Sequence, residues 1–331
     1  MDPLTHTATG LFLSRAGLKR WTPLATPILL VAANAPDCDI VSAAAGPLSY
    51  LQYHRHWTHS LAGWPAMALA SVLLVRVAAR QPVRWAGALA AAMIAVGTHL
   101  ALDLTNSYGV RLLLPFSGRW LAWDVTNVVD IWIWVAILLA VAGPFLARLV
   151  GSEIASGTAK VRHHGRGFAI FALLFLLLYN YGRSVLHERA VAVMNARIYR
   201  GRAPLRVAAI PDAAVPWRWR GLVETSDFYA VADLDLLRAF DPAQAAILQK
   251  PEAQPAIQAA GRSTTIRRFL EFSRFPLWRA WPVPEPEGAS QVEVVDLRFG
   301  SPARPDFAAE AVIGPAQQIL SEGVRLGMIR R

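Results

Sequence analysis

The chain of 331 residues has a single cysteine, Cys38, so no internal disulfide can brace it, and the redox compartment is left open. Charge is also scarce: 17% of residues are Asp, Glu, Lys or Arg, against ~25% in soluble domains. The shortage is local. Residues 1–186 carry 14 basic and 7 acidic residues, whereas 187–331 carry 19 and 16. With 54% hydrophobic residues overall, this pattern argues against a soluble first part and predicts a membrane domain over 1–186, followed by a soluble domain over 187–331. Residues 1–10 have neither a basic start nor an apolar core, so no cleavable signal peptide is expected. A net charge of +10 and twelve Trp raise the question of nucleic acid. The basic residues are scattered or flank apolar runs and no nucleic-acid motif is present, so no nucleic-acid partner is expected. Anionic lipid headgroups account for the basic surplus.

Four apolar runs, 61–79, 83–102, 128–147 and 168–186, are near the ~20 residues that a spanning helix needs. Residues 23–33 form a shorter apolar run, read as a buried or interfacial helix. Arg76, Arg80 and Arg84 surround the first link between spans. Arg148, Lys160, Arg162 and Arg166, with His163 and His164, fill the third. The middle link holds only Arg111 and Arg119. By the positive-inside rule the first and third links are cytoplasmic, and the middle link and the C-terminal domain face the periplasm. Beyond residue 199, "LRVAAI", "WRWRGLVE", "FYAVADLDL" and "VEVVDLRF" alternate like strands. "TTIRRFLEFSRF" has the period of an amphipathic helix, and the Pro-rich "WPVPEPEG" is a loop. The expected fold is a mainly α, polytopic membrane bundle followed by a smaller α+β domain.

Only eight histidines occur, and three of them lie in "HRHWTHS", His54 to Ser60. His99 and Asp103 form an H-x-x-x-D pair, placing both side chains on one helix face. "PDCD" brings Asp37 and Asp39 two residues apart. Antiparallel spans put the histidine cluster and the H-x-x-x-D pair at the same membrane face, the outer one. His and Asp together suit zinc, manganese or magnesium. Each motif also has a bland explanation: a polar cap for His54 and His59, a chance helical pair, an N-cap for Asp39. Their convergence favours a metal. Carboxylates within or between apolar runs are costly, which makes Asp37, Asp39, Asp103, Asp124 and Asp130 functional candidates. Asp124 and Asp130 serve equally well as acids at the start of a helix. His56 is set aside as incidental, His163 and His164 as solvated charge, and His187 as structural.

Taken in order, "HTATG" from His6, "PDCD" from Pro36, "HRHWTHS" from His54, "HLALD" from His99 and "TNSYGVRLLLP" from Thr105 resemble the YdjM-type membrane-bound, metal-dependent hydrolases. That family is in turn distantly similar to zinc-dependent phospholipases C and single-strand nucleases. The resemblance implies a ligand set of His6, Asp37, Asp39, His54, His59, His99 and Asp103, and it is what brings in His6. It covers residues 1–120 and implies no chemistry for the last 145 residues.

The expected activity is metal-assisted hydrolysis of a phosphoester or lipid-like substrate at the membrane face, zinc being the first candidate ion. Asp37 or Asp39 would bridge metals or act as general base. Arg55 would hold a substrate phosphate, or alternatively anchor to headgroups. Thr58 and Ser60 would orient the histidines. The rivals are a non-catalytic membrane protein with a structural or transport metal, and a membrane-anchored adaptor.

Overall fold

The computed structural model describes residues 1–154, 165–301 and 303–327. Of the expected third link, Lys160, Arg162, His163 and His164 lie outside the described residues. The chain forms two compact units. The first comprises Met1–Asp39, Arg55–His187 and Pro211–Pro216; the second comprises Ile40–His54, Glu188–Ile210 and Trp217–Arg331.

The first unit is helical. α1 (Pro3–Ala16) starts where Asp2 accepts the amide hydrogens of Leu4 and Thr5. Pro3 sits at the first helical position, where its missing N–H is not needed. α2 (Ala25–Ala32) returns antiparallel to α1. The two cross at Gly10, where a Cβ would meet the Leu29 carbonyl oxygen at 2.7 Å, so a larger residue would force the helices apart. Three-ten turns over Ala35–Ala45 carry the "PDCD" motif. A one-turn 3-10 segment, Trp57–His59, leads into α4 (Gly63–Ala79); α3 (Pro47–Tyr53) precedes it in the chain and belongs to the second unit.

α5 (Trp85–Leu104) runs antiparallel to α4. Its buried face is mostly alanine, with Ala88, Ala91 and Ala92 fully inaccessible, against Ile28 and Leu29 of α2 and Val72 of α4. Small residues of this kind let helix backbones approach closely. Gly97 makes room for the Trp64 ring, whose indole N–H donates to the Met93 carbonyl. α6 (Ile131–Ile154) is capped by Asp130, which accepts from the Trp132 and Ile133 amides. α7 (Gly165–Asn195) follows. α5 and α7 are long and apolar enough to cross a membrane. α4 is preceded by a bend of 83°, and Ile131–Ala147 is a shorter apolar stretch of α6. The expected runs 61–79, 83–102, 128–147 and 168–186 thus coincide with helices, displaced by a few residues. α1 had no counterpart in the sequence expectations, because its apolar residues are interrupted by Thr, His and Ser.

The second unit is built on two four-stranded sheets. One has the order β1-β2-β3-β4, formed by Arg206–Pro211, Arg218–Glu224, Phe228–Asp235 and Ala246–Gln249. The other is antiparallel and has the order β10-β9-β6-β5. Its strands are β5 (Pro276–Pro282), β6 (Ser290–Asp296), β9 (Phe307–Ile313) and β10 (Ile319–Leu326). A two-stranded ribbon pairs β7 (Gly300–Ser301) with β8 (Arg304–Pro305). Two short helices, α8 (Pro255–Ala260) and α9 (Thr264–Phe272), lie between the sheets in sequence, and α3 packs on α9 and β10. Ile210, Leu222, Tyr229, Phe275, Leu277 and Val295 join the two sheets in one apolar core.

"FLEFSRF" and "VVDLRFG" meet at Arg298. Its guanidinium lies 4.7 Å from the ring centres of both Phe272 and Phe299. It pairs with Asp296 at 2.7 Å and donates to the Phe272 carbonyl at 2.9 Å. Both partners of the pair are fully buried, so removing one strands a charge in the core. Asp296→Ala should lower the stability of the second unit by ~3–5 kcal/mol, and the double change Asp296→Ala/Arg298→Met by much less. Hydrogen exchange of the β6 and β9 amides in the full chain reads both; equal losses would contradict this account.

Candidate metal centre

Four donors from three separate segments converge at one end of the helical unit. Asp37 comes from the 3-10 turns after α2, His59 from the turn before α4, and His99 and Asp103 from the last turns of α5. Ligand atoms of all four lie within 4.8 Å of one another. His59 Nε2 is 3.1 Å from His99 Nε2, 3.3 Å from Asp103 Oδ2 and 3.4 Å from Asp37 Oδ1. The His59, His99 and Asp103 side chains are wholly inaccessible, while 19% of the Asp37 side chain is open.

Outer hydrogen bonds set the direction of each ring. His99 Nδ1 lies 2.7 Å from the Ala33 carbonyl oxygen, which can only accept, so this nitrogen carries the proton and Nε2 presents a lone pair. His59 Nδ1 faces Asp39 Oδ2 at 3.2 Å and Thr58 Oγ1 at 3.0 Å, and the Thr58 hydroxyl donates to the same Asp39 oxygen at 2.5 Å. This carboxylate–histidine arrangement turns the Nε2 of His59 to the centre, as it does in metal sites. Two imidazole lone pairs 3.1 Å apart repel each other unless a cation or proton lies between them. Burial alone would lower the pKa of His59; hydrogen bonds to Asp103, Asp37 and Asp39 outweigh it and lift it to about 10. Burial likewise raises Asp37, but His59 and His99 bring it down to about 2. The carboxylates therefore demand positive charge at this point, and the donor set fits a divalent ion.

His6 stacks on His99 with ring centres 3.8 Å apart, and its Nε2 is 3.4 Å from Asp103 Oδ1. Neither ring nitrogen of this fully buried residue makes a hydrogen bond. Asp103 also receives Arg55 Nη2 at 3.1 Å and the amino group of Met1. Arg55 is buried with a φ of 60°, a strained value for a non-glycine residue. Its backbone N–H donates to Asp39, Nη1 donates to Asn106 Oδ1 at 3.0 Å, and its guanidinium covers the Tyr108 ring.

Of the seven ligand candidates, His6, Asp37, His59, His99 and Asp103 present atoms to the centre, and Asp39 both faces His59 and offers an oxygen within 4.8 Å of Asp37, so it too can serve an ion. His54 closes α3 in the second unit, where it stacks on Tyr50. Ser60 accepts the Gly63 amide hydrogen and so helps start α4 rather than touching a histidine. His56 lies 3.4 Å from Arg111. Asp130 is the N-cap of α6 and also accepts from the Tyr179 hydroxyl. Asp124 adopts a φ of 55° in the loop before it. Asn106 was missed. Its side-chain oxygen gathers Arg55 and the Tyr108 and Gly109 amides, and the turn-forming "NSYG" is the signal that announced it.

Acids and histidines gathered at one end of a bundle of apolar helices define a membrane protein with a possible metal-binding group. The model of the YdjM inner membrane protein family matches residues 1–190, and the chain belongs to that family. It is similar to Uncharacterized protein YfhP of Bacillus subtilis (strain 168), at 25% identity over 95% of this chain and 91% of that protein. No solved structure matches the chain significantly.

Thr58→Val removes the hydroxyl that joins Asp39 to His59 while keeping the side-chain volume. Loss of such an orienting partner should weaken zinc or manganese binding ~10–100-fold. Calorimetric titration of the metal-stripped full chain in detergent reads this. Unchanged affinity would show that the Asp39–Thr58–His59 arrangement does not serve a metal.

Proposed function

We propose that the chain is a membrane-bound, metal-dependent hydrolase of phosphoester or lipid-like substrates. The observation that carries this proposal is the face-to-face placement of the His59 and His99 Nε2 atoms between the Asp37 and Asp103 carboxylates. Asp37, His59, His99 and Asp103, with His6 beside them, would hold the ion or ions, zinc first and manganese or magnesium as alternatives. A bound divalent ion supplies an acidified water and polarises the bond to be split.

The chain's own residues do the rest. Asp39 keeps the Nδ1 proton of His59 and so holds its ring in place. Asn106 holds Arg55, and Arg55 pairs with Asp103, which lets a carboxylate persist without exposure. Asp37 is the most open of the four clustered donors, which makes it the carboxylate best placed to accept a proton from an attacking water. Arg55 has its Nη groups on Asn106 and Asp103, so its charge acts on substrate phosphate from behind Asp103. The positive-inside rule puts this end of the bundle, and the C-terminal domain, on the periplasmic side of the inner membrane.

A structural metal is the second reading, favoured by the complete burial of His59, His99 and Asp103. A closed site needs four protein ligands and no solvent-facing position; the partial exposure of Asp37 argues against closure. The test is hydrolysis of chromogenic phosphomonoester, phosphodiester and carboxyl-ester probes by the purified full chain with added zinc or manganese. Metal-dependent turnover that falls ~10²–10⁴-fold in Asp37→Asn, measured at metal concentrations that refill the weakened site, is the expected result for a lost general base. A full complement of metal with no turnover on any probe would leave the structural reading.

A further inference from the structure

The helical unit is polarised along its axis. Asp2, Asp37, Asp39, Asp103 and Asp130 lie at the end of the metal cluster, at the start of α1, after α2, at the end of α5 and at the start of α6. The opposite end, where α1, α4 and α5 turn, carries Arg15, Lys19, Arg20, Arg76, Arg80 and Arg84, and α7 has Arg166 as its second residue. A cavity of about 580 Å³ opens there, and its lining includes Arg15, Lys19, Arg20 and Arg166 together with Val141 and Phe145 of α6. Among the described residues, no carboxylate pairs with any of the four cations. The Nε of Arg166 donates to the Ala16 carbonyl at 3.0 Å, and Arg84 donates to the Arg20 carbonyl at 2.6 Å, which fixes the backbone under the cations. Val141 and Phe145 remain 45% and 62% exposed, so apolar surface borders the same cavity as the cations.

We propose that this cavity is a second binding site, for a phosphate group, supplied by the headgroup of an anionic phospholipid or by free phosphate. Four cations with no carboxylate partner among the described residues repel one another and are relieved by an anion; arginine forks match phosphate oxygens in pairs. The apolar surface favours the lipid, whose chains would lie along α6 while its phosphate meets the cations. This site shares no residue with the metal cluster and is independent of the proposed hydrolysis.

The test is native mass spectrometry of the full chain in a neutral detergent, titrated with phosphatidylglycerol, with phosphatidylcholine and with inorganic phosphate. Retention of phosphatidylglycerol over phosphatidylcholine is expected, weakened roughly tenfold or more in Arg15→Gln/Arg166→Gln. It should be weakened less in Arg15→Lys/Arg166→Lys, which keeps the charge but loses the forks, and kept in Arg76→Gln/Arg80→Gln, which removes the same charge at the same end but outside the cavity. Displacement of the lipid by millimolar phosphate would assign the site to phosphate itself; resistance to displacement would assign it to the intact lipid. Equal weakening by the two Gln double variants, equal retention of the two lipids, or no binding of lipid or phosphate would overturn the proposal.

Discussion

The organisation of the first unit depends on one buried carboxylate. Asp103 is fully inaccessible at the end of a helix that is otherwise among the most apolar in the chain. An ionised group in that position is sustained only when other charges and donors surround it. Arg55, the Met1 amino group, His6 and His59 all reach it, from two parts of the chain: the N-terminal residues and the His54–Ser60 stretch. The need to satisfy Asp103 therefore assembles the same groups that can take up a cation. A bound divalent ion would relieve the mutual repulsion of Asp37 and Asp103 and fill the space between two imidazoles that face each other.

Close helix packing makes that assembly possible. The alanine face of α5 and the contact at Gly10 draw α1, α2 and α5 together, so that His6 stacks on His99 and the Ala33 carbonyl at the end of α2 receives the His99 ring. The apolar packing and the polar site are thus coupled: widening the helix contacts would release the acceptor that sets the His99 tautomer.

The candidate site was legible because its chemistry is written in short spacings. H-x-x-x-D needs only a helix to bring His99 and Asp103 to one face, and antiparallel neighbours bring His59 to meet them. Asp39 was grouped with the ligands, and it keeps both roles: it faces Nδ1 of His59 and offers an oxygen within 4.8 Å of Asp37, so sequence spacing does not distinguish a residue that touches a metal from one that holds the histidine that does. That distinction depends on which nitrogen of His59 faces which oxygen. His6 rested on family resemblance, because a lone histidine in α1 has no local partner. The helices were visible as apolar runs, whereas β4, β5, β9 and β10 were not singled out. β10 alternates weakly because most of it is solvent-exposed, and β5 is broken by Pro and Arg. The Asp296–Arg298 pair was hidden for a related reason: charged residues that read as surface are buried, with the Arg298 guanidinium against two phenylalanine rings.

The central claim is that these histidines and aspartates exist to hold metal. Elemental analysis of the full chain purified in detergent, beside a His59→Ala/Asp103→Ala variant, tests it most directly. The account predicts zinc or manganese in whole-number ratio to the intact protein and its loss from the variant. An intact protein that contains no metal and takes up none on reconstitution would contradict it, leaving the histidine cluster as a polar cap on a membrane helix.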